Sequence, residues 1–363
     1  RSRQLMVSAG SGTLTSNDRA TIANQLQSLR DQLTAVANRT DTNGIPLLGA
    51  LGSAQSPFMG PLNGIPDYKF AGQAGQTASD GVTLPNTLDG DSAFMFDAER
   101  DGSFHAEITP GPSTVIVPGP PPSSVPAMGQ PNRALTTSAI TVAEGTNFNK
   151  NPVTGLAYTY SVSFSTVTLD PATNTLSATY NVSSTDPAFV PPAAQTLNPI
   201  KIGEKGEFNI NGLPPGMSMK VTTLPTKAVD GTITLSPANG DTINISPQAS
   251  VFSVIDKAIA EIKAAPNSNV AAQAISQALA NVDIGLERMS NIRSYAGELL
   301  NRADRITGDQ EKRSVQLESD RSRAEDLDMI KGISDFQNQQ TGYQAALQTY
   351  ASVQKLSLFN YIG

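Results

Sequence analysis

The side chains with the greatest potential for chemistry lie close together between positions 97 and 108. Asp97, Glu99 and Asp101 match the first ligand positions of a calcium-binding loop. Ile108 stands where such a loop needs its bidentate carboxylate, and the flanking residues have the pattern of strands. His105 has no cysteine or carboxylate partner at a catalytic or metal-binding spacing. The pattern therefore predicts a turn at the carboxylates and a structural role for the histidine.

Composition excludes several classes of function. The 363 residues carry a formal charge of −7 and have a sequence pI of about 4.8, which argues against binding to nucleic acid phosphates. The chain contains no cysteine, which excludes disulfides, thiol catalysis and cysteine-based zinc sites. Its single histidine excludes zinc sites with several imidazole ligands. No apolar run approaches the ~18 residues of a membrane span. We predict a protein that is not an enzyme and that has no cofactor, no metal and no membrane insertion.

The C-terminal hundred residues repeat apolar side chains in alternating steps of three and four, the pattern of long helices that pack against other helices. The sequence predicts two helices of about 55 Å and 70 Å, at 1.5 Å per residue, separated by a break at Gly308-Asp309. The second helix also carries a glutamine-rich face whose apolar stripe needs a partner. The predicted assembly interface consists of Phe336, Gln340, Tyr343, Leu347, Tyr350, Leu358 and Phe359.

A third helix of the same type is predicted near the start of the chain. Residues 14–18 supply capping groups, an apolar stripe with the same steps follows, and residues 40–44 form a stop signal. The simplest arrangement packs this helix against the C-terminal pair. The predicted rod core consists of Ile22, Leu26, Leu29, Leu33, Leu279, Val282, Leu286 and Met289.

Between these helical ends the sequence is typical of a β-rich insertion. All prolines except Pro266 fall between Pro46 and Pro247, and proline is excluded from helix interiors. Hairpins are predicted at residues 155–182, 94–108 and 232–245, and the proline run at 117–131 is interpreted as a linker. We predict an α+β protein with a helical rod segment at 1–44, an inserted β domain at 45–249 that could split near 117–132, and the rest of the rod at 250–363.

Several motifs in the helical ends resemble the bacterial flagellin superfamily, and in particular its hook–filament junction branch. In the C-terminal half these are Ser322-Arg323-Ala324-Glu325-Asp326-Leu327-Asp328, Gln344-Ala345-Ala346-Leu347-Gln348-Thr349-Tyr350 and the closing Ser357-Leu358-Phe359-Asn360-Tyr361-Ile362. Near the start, residues 29–38 are similar to the N-terminal rod helix of the superfamily. Two features depart from the junction branch: Ile45-Pro46-Leu47-Leu48-Gly49 replaces an aromatic-containing turn, and the insertion is large.

The resemblance implies a structural adaptor that joins the hook-side junction protein to the flagellin filament. It implies export unfolded by the flagellar type III pathway, an export chaperone, and assembly with copies of itself in a ring-like layer outside the cell. The first helical segment of the superfamily is expected to be absent from this sequence, and the terminal helix face from Phe336 to Phe359 is expected to pair with that segment and with other subunits.

Two other functions remain open from the sequence. A flagellin-type subunit of the filament itself would show the same helical ends. An adhesive or glycan-binding module on a helical stalk would use the insertion, where Tyr158, Tyr160 and Tyr180 lie on strands, although aromatic residues on one face of a strand usually belong to a core.

Overall fold

A computed structural model describes residues 1–10, 14–75, 84–111, 113–117, 123–127, 134–229, 231 and 233–359, without the side chains of 113–117, 123–127, 326–328 and 356–359. The predicted α+β class is confirmed, because both ends of the chain are helical and a β-rich region is inserted between them. Residue contacts divide the chain into two compact units, Arg1–Ala296 and Gly297–Gly363. The boundaries predicted at 44/45 and 249/250 stay predictions.

Five helices lie within the described residues. They are α1 (Ser2–Ala9), α2 (Ser16–Ala37), α3 (Gly90–Phe94), α4 (Val251–Ala264) and α5 (Ser268–Phe359). The predicted cap of α2 is a reciprocal capping box. The Thr15 side chain accepts from the Asp18 N–H, and the Asp18 carboxylate accepts from the Thr15 N–H. Only one helix was expected before residue 45, and α1 is additional: it has no side-chain cap, but it buries Met6 and Ala9.

The predicted break at Gly308-Asp309 is wrong, because α5 is helical without interruption through both residues. A glycine inside a helix costs only about 1 kcal/mol relative to alanine. The residues around it are mostly good helix formers, and Lys312 pairs with Asp309 one turn earlier. The helix propensity of the flanking residues therefore outweighs the cost of a single glycine, because neither a proline nor a C-cap motif follows it.

Seventeen strands are described, most of them short. They are β1 (Phe58–Met59), β2 (Lys69–Phe70), β3 (Phe104–Thr109), β4 (Ser113–Val117), β5 (Ser123–Ala127), β6 (Thr136–Thr137), β7 (Thr141–Val142), β8 (Tyr160–Asp170), β9 (Thr175–Ser184), β10 (Gln195–Thr196), β11 (Ile200–Lys201), β12 (Gly206–Asn209), β13 (Met217–Ser218), β14 (Lys220–Thr223), β15 (Thr226–Lys227), β16 (Ile233–Thr234) and β17 (Thr242–Pro247). The largest sheet has the order β10-β9-β8-β17-β3, with β11 also paired to β9, and its pairs are antiparallel.

The hairpin predicted at residues 155–182 is present as β8 and β9. Alternation decides which face is inside, because successive side chains of a strand point to opposite faces. The buried side chains are Tyr160, Val162, Phe164, Leu176, Ala178, Tyr180 and Val182. The aromatic strand residues Tyr160 and Tyr180 are thus core residues, while Tyr158, just before β8, is half-buried.

The other two predicted hairpins are wrong. Phe94 ends α3, which Asp89 caps, and β3 pairs with β17 instead of residues 94–96. Similarly, β16 pairs with β4 and β15, whereas β17 pairs with β3 and β8. Nearness in sequence predicted these pairings, but Phe94 belongs to a helix, and β16 and β17 belong to different sheets. The proline run interpreted as a linker contains β5, which pairs with β4; residues 118–122 and 128–133 lie outside the described part.

Three hydrophobic clusters hold the first unit together. One fills the β-rich region, and a second joins α1, α2 and α4 to the start of α5. The third is aromatic: Phe252 of α4 contacts Phe58, Tyr68 and Phe94, with ring centroids 5.2–5.6 Å apart. Offset rings at this spacing contribute beyond their buried area. The segments around Phe58, Tyr68 and Phe94 are therefore fastened directly onto α4.

Candidate assembly surface

The predicted assembly interface lies on the part of α5 that belongs to the second unit. Phe336 is 66% exposed, Tyr343 68%, Leu347 50% and Tyr350 64%, and Gln340 is exposed as well. Leu358 and Phe359 are in the helix, but their side chains lie outside the described residues. We call Phe336, Gln340, Tyr343, Leu347, Tyr350 and Gln354 the terminal seam, because steps of four and three place them on one helix face.

Several polar side chains elsewhere on this helix pair within the helix itself. Hydroxyl groups of Thr341, Thr349 and Ser352 donate to the carbonyl four residues earlier. Upstream, exposed charges pair within the helix, as Arg321 does with Glu318 at 2.6 Å and with Glu325 at 3.9 Å. Such pairs each contribute only a few tenths of a kcal/mol. The charged part of the helix is thus a hydrated surface tied by pairs three or four residues apart. Large apolar side chains, including Val315, Leu317, Ile330 and Ile333, are exposed there as well, and the terminal seam differs in lying within a stretch, residues 336–354, that has no charged residue.

The residues predicted for the rod core have unequal burial in the first unit. Leu26 and Val282 are buried; Ile22, Leu29, Leu33, Leu279 and Met289 are half-buried. Leu286 lies outside the core at 44% exposed. The reason is the neighbouring glycine: Gly285 faces α4, and a Cβ there would lie 2.5 Å from Val251 Cγ2. The contact between α5 and α4 is therefore centred on Gly285, and Leu286 lies beside this contact, outside the core.

A ladder of three amide side chains joins α5 to the edge of the main sheet. Gln277 accepts from the N–H of Ala106 at 2.7 Å and donates to its carbonyl at 2.9 Å. Asn281 donates to the carbonyl of Phe104 at 2.9 Å, and Gln273 accepts from the N–H of Thr137 at 3.0 Å. The contacts of Gln277 and Asn281 take the place of a neighbouring strand for β3, while Gln273 contacts β6 of a second sheet. Sequence reasoning missed the ladder, although amides four residues apart on an apolar face are a readable signal.

Ion pairs fasten the helices to the rest of the first unit. Asp256 of α4 accepts from the Tyr68 hydroxyl at 2.6 Å and lies 2.8 Å from the Arg30 Nε of α2. Burial raises the pKa of the Asp256 carboxyl despite Arg30, and burial with the Asp256 contact raises the pKa of the Tyr68 hydroxyl. On the exposed side, Lys257 donates to Glu107 at 2.8 Å, and this hydrogen bond lowers the pKa of Glu107.

The side chains singled out for chemistry are occupied by structural contacts. Asp97 pairs with Lys150 at 2.9 Å and accepts from the N–H of Glu99, while buried Asp101 pairs with Arg100 and Arg288. His105 lies buried in β3 with its Nε2 2.5 Å from Glu261 Oε1 of α4. The carboxylates therefore close the turn after α3, and the histidine links β3 to α4. Among the residues that the structure describes, no helix has the length and apolarity needed to cross a membrane.

Comparison with known proteins finds flagellin-type sequences at both ends. The model of the bacterial flagellin N-terminal helical region matches residues 1–51, and that of the C-terminal helical region matches residues 279–362. Flagellar hook-associated protein 3 of Salmonella typhimurium is 43% identical, and that of Escherichia coli 41%, each over 56 residues. Those segments cover 15% of this chain and only 18% of each relative.

Solved structures share the fold over most of the chain. FlgL of Xanthomonas campestris has a TM-score of 0.54 at 22% identity, covering 89% of this chain and 87% of its own. The flagellar junction protein FlgL of Legionella pneumophila has a TM-score of 0.53 at 23% identity, covering 84% and 85%. At such identities the likeness concerns the fold. The chain thus carries both flagellin-type terminal helical regions and has the fold of flagellar junction proteins.

Proposed function

We propose that this chain is a structural adaptor of the bacterial flagellum, placed between the hook and the flagellin filament. Its partners on the two sides are the hook-side junction protein and flagellin. The observation that carries the proposal is the exposed terminal seam within the region that matches the flagellin C-terminal model. The fold shared with the FlgL proteins and the local identity to hook-associated protein 3 favour the junction over the filament itself.

The terminal seam gives the adaptor its means of assembly. Fully burying one large apolar side chain contributes about 1.5–3 kcal/mol, and four such side chains are at least half exposed on this face. Helices of neighbouring subunits in a ring-like layer would cover them, with the intervening amides aligning the helices. Assembly then supplies the burial that a single chain lacks, and so stabilises the terminal helix by mass action.

The β-rich region and the ion-paired helices act as the rigid body of the adaptor. We propose no catalytic role, since the relatives matched by sequence are named for a position in the flagellum and the candidate carboxylates and histidine here hold structural contacts. Delivery follows the flagellar type III pathway, with an export chaperone covering the seam before export and no insertion into a membrane. The protein then resides outside the cell, on the flagellum.

A strain lacking this gene tests the proposal by electron microscopy of the cell surface and immunoblotting of the medium for flagellin. Hooks without filaments, with flagellin shed into the medium, are the expected result. Hooks without filaments and no flagellin anywhere would mean that this chain is the filament subunit. Normal filaments would contradict both functions and favour an adhesive role for the insertion.

Complementation of that strain tests the seam specifically. Phe336→Asp places a charge on the seam and should leave the strain without filaments, because the charge would have to be buried between subunits. Ser352→Asp adds the same charge on the opposite helix face and should restore filaments. Equal rescue by both variants would show that the seam is not the assembly surface.

A further inference from the structure

The tetrapeptide Asn-Gly-Ile-Pro occurs twice in the chain, at residues 43–46 and 63–66. An asparagine that precedes a glycine can lose its side-chain amide without an enzyme, because glycine has no Cβ to shield its backbone nitrogen from the asparagine side chain. Two further Asn-Gly pairs begin at Asn211 and Asn239. Since the two tetrapeptides are identical, a difference in reactivity between Asn43 and Asn63 has to come from the fold around them.

The reaction needs an accessible glycine N–H and a movable asparagine side chain. After hydroxide removes the proton from the glycine nitrogen, that nitrogen bonds to the asparagine Cγ, the Cγ–Nδ2 bond breaks, and Nδ2 takes a proton from water and leaves as ammonia. Water then opens the cyclic imide at either carbonyl, which gives aspartate or, where the backbone bond breaks, isoaspartate. A hydrogen bond from the glycine N–H opposes the first step, because it must break before the proton can be removed.

The first tetrapeptide lies in a loop that its own hydrogen bonds hold closed. The Gly44 N–H donates to the Asp41 carbonyl at 3.2 Å, and the Asp41 carboxylate accepts from the N–H groups of Asn43 and Ile45, both at 2.8 Å. The Asp41 N–H donates to the Ile45 carbonyl at 2.8 Å. The backbone is therefore held on both sides of Asn43. Reaction at Asn43 requires that this loop first open.

The second tetrapeptide has none of these restraints. Asn63 and Gly64 are exposed, and Ile65 is 78% exposed. Within the part of the chain that the structure describes, neither the Asn63 side chain nor the Gly64 N–H has a hydrogen-bond partner. A Cβ on Gly64 would meet nothing within 4 Å, so the space beside its nitrogen is open to water. Both requirements of the reaction are met here.

The pair at Asn239 is held from both sides. The Gly240 N–H donates to the Phe164 carbonyl at 2.9 Å, and the Asn239 side chain accepts from the Val167 N–H at 2.6 Å. The glycine nitrogen and the asparagine Cγ therefore cannot meet without breaking contacts to β8.

The pair at Asn211 is anchored and crowded. The Asn211 N–H donates to the Tyr180 hydroxyl at 2.8 Å. Gly212 is half-buried against Pro192, where a Cβ would lie 2.6 Å from the proline Cγ. Water and the asparagine side chain therefore reach this glycine nitrogen less easily than that of Gly64.

We propose that Asn63 is a site of spontaneous deamidation, with water as the co-reactant, and that it reacts before the asparagines of the three other pairs. The product carries an additional negative charge in the segment that leads to Tyr68, which donates to Asp256 of α4. Isoaspartate would also lengthen the backbone by one carbon between Leu62 and Asp67, whose N–H and carbonyl are hydrogen-bonded at 2.7 Å. This inference does not depend on the proposed adaptor function.

Peptide mapping by mass spectrometry of the purified full chain, kept folded at mildly alkaline pH, tests the order of reaction. Asn63 should deamidate at least about tenfold faster than Asn43, because one hydrogen bond changes a local equilibrium by roughly a factor of ten. In urea the two asparagines should react within about twofold of each other, since an unfolded chain leaves only the shared local sequence. Equal rates in the folded chain, or a difference that persists in urea, would overturn the proposal.

Two variants test the physical cause. Gly64→Ala places a Cβ beside the nitrogen and should slow the reaction at Asn63 by about tenfold or more. Its fold should be unchanged, because the Cβ has open space and the φ of Gly64 lies outside the left-handed region. Asp41→Ala removes two loop hydrogen bonds and should speed the reaction at Asn43 by about threefold or more. An unchanged rate at the tested asparagine in either variant, with thermal unfolding as the check on the fold, would overturn the assignment.

Discussion

At the scale of residues, the contact between α5 and β3 depends on polar side chains placed within a mostly apolar helix face. Gln277 is buried and satisfies both backbone groups of Ala106, while Asn281 serves Phe104 one turn further along. Buried amides are stabilising only when every group is paired. The ladder meets that condition because β3 is an edge strand that presents free N–H and C=O groups to α5.

Replacing Gln277 with leucine removes these hydrogen bonds while keeping nearly the same volume. The N–H and carbonyl of Ala106 would lose partners in a buried site, so we expect the free energy of unfolding to fall by about 2–4 kcal/mol. Urea denaturation measures the change. Gln25→Leu, at an exposed position of α2, is the matched control and should change stability by less than about 0.5 kcal/mol. Equal effects of the two substitutions would refute a role for the ladder.

Residue-level prediction from sequence succeeded where one side chain decides the outcome. Residues 14–18 were predicted to cap a helix because hydroxyl and carboxylate side chains satisfy the free N–H groups of a helix start, and Thr15 and Asp18 form that cap. The ladder was missed because its amides are paired with residues far away in the sequence, 171 residues for Gln277 and Ala106, 177 for Asn281 and Phe104, and 136 for Gln273 and Thr137. Nothing near Gln277 in the sequence indicates that β3 would be its partner.

At the scale of elements, α5 shows how one residue type has opposite effects in one helix. At Gly285 a Cβ would lie 2.5 Å from Val251 Cγ2, whereas at Gly308 a Cβ would meet nothing within 4 Å. Gly285 allows α4 to approach closely, and Gly308 only weakens the helix. Helical periodicity predicted the existence of α2 and α5, but it could not distinguish a contact glycine from a break.

Alanine at these two positions should therefore change stability in opposite directions. Gly308→Ala should stabilise the helix locally by about 1 kcal/mol, because glycine loses more backbone entropy on folding. Gly285→Ala should destabilise the first unit by about 1–3 kcal/mol through overpacking against Val251. Hydrogen exchange around residue 308 and thermal unfolding of the first unit measure the two effects. Hydrogen exchange around residue 308 that is no slower in Gly308→Ala, or a first unit that is more stable in Gly285→Ala, would contradict the different roles given to the two glycines.

Strand pairing was the least predictable part of the fold. The β8–β9 hairpin was predictable because a short turn joins two strands with matching alternation. By contrast, β17 lies between β8 and β3, strands separated from it by about 70 and 130 residues. Alternation marks the buried face of each strand but leaves its neighbours undetermined, which is why two of the three predicted hairpins were wrong.

At the scale of the whole molecule, the three hydrophobic clusters belong to a single unit. Their members, including the partly buried residues at their edges, extend no further along the chain than Ile292. The second unit carries the terminal seam and the local ion pairs of its helix. Stability and assembly are thus assigned to different parts of one chain.

A chain that ends after Ala296 should keep the cooperative thermal transition of the first unit. We expect its Tm within about 3 °C of the corresponding transition in the full chain, since no cluster residue is lost. A chain that ends after Ile284 loses Arg288, which leaves buried Asp101 without one of its cations. Its Tm should lie well below those of the full chain and of the chain that ends after Ala296. Calorimetry measures the Tm of all three proteins. An equal Tm for the two shortened chains would contradict the assignment of stability to a unit that includes Arg288 and the cluster residues up to Ile292.

The amide ladder also has a mechanical consequence. Gln277 and Asn281 contact β3, and Gln273 contacts β6, only at one rotational setting of α5, because successive helix residues are turned by about 100°. Turning the helix about its own axis by a single residue would break every one of these hydrogen bonds together. The first part of α5 and the main sheet must therefore rotate as one body. Torque applied to that helix reaches the β-rich region directly, without slipping at their contact.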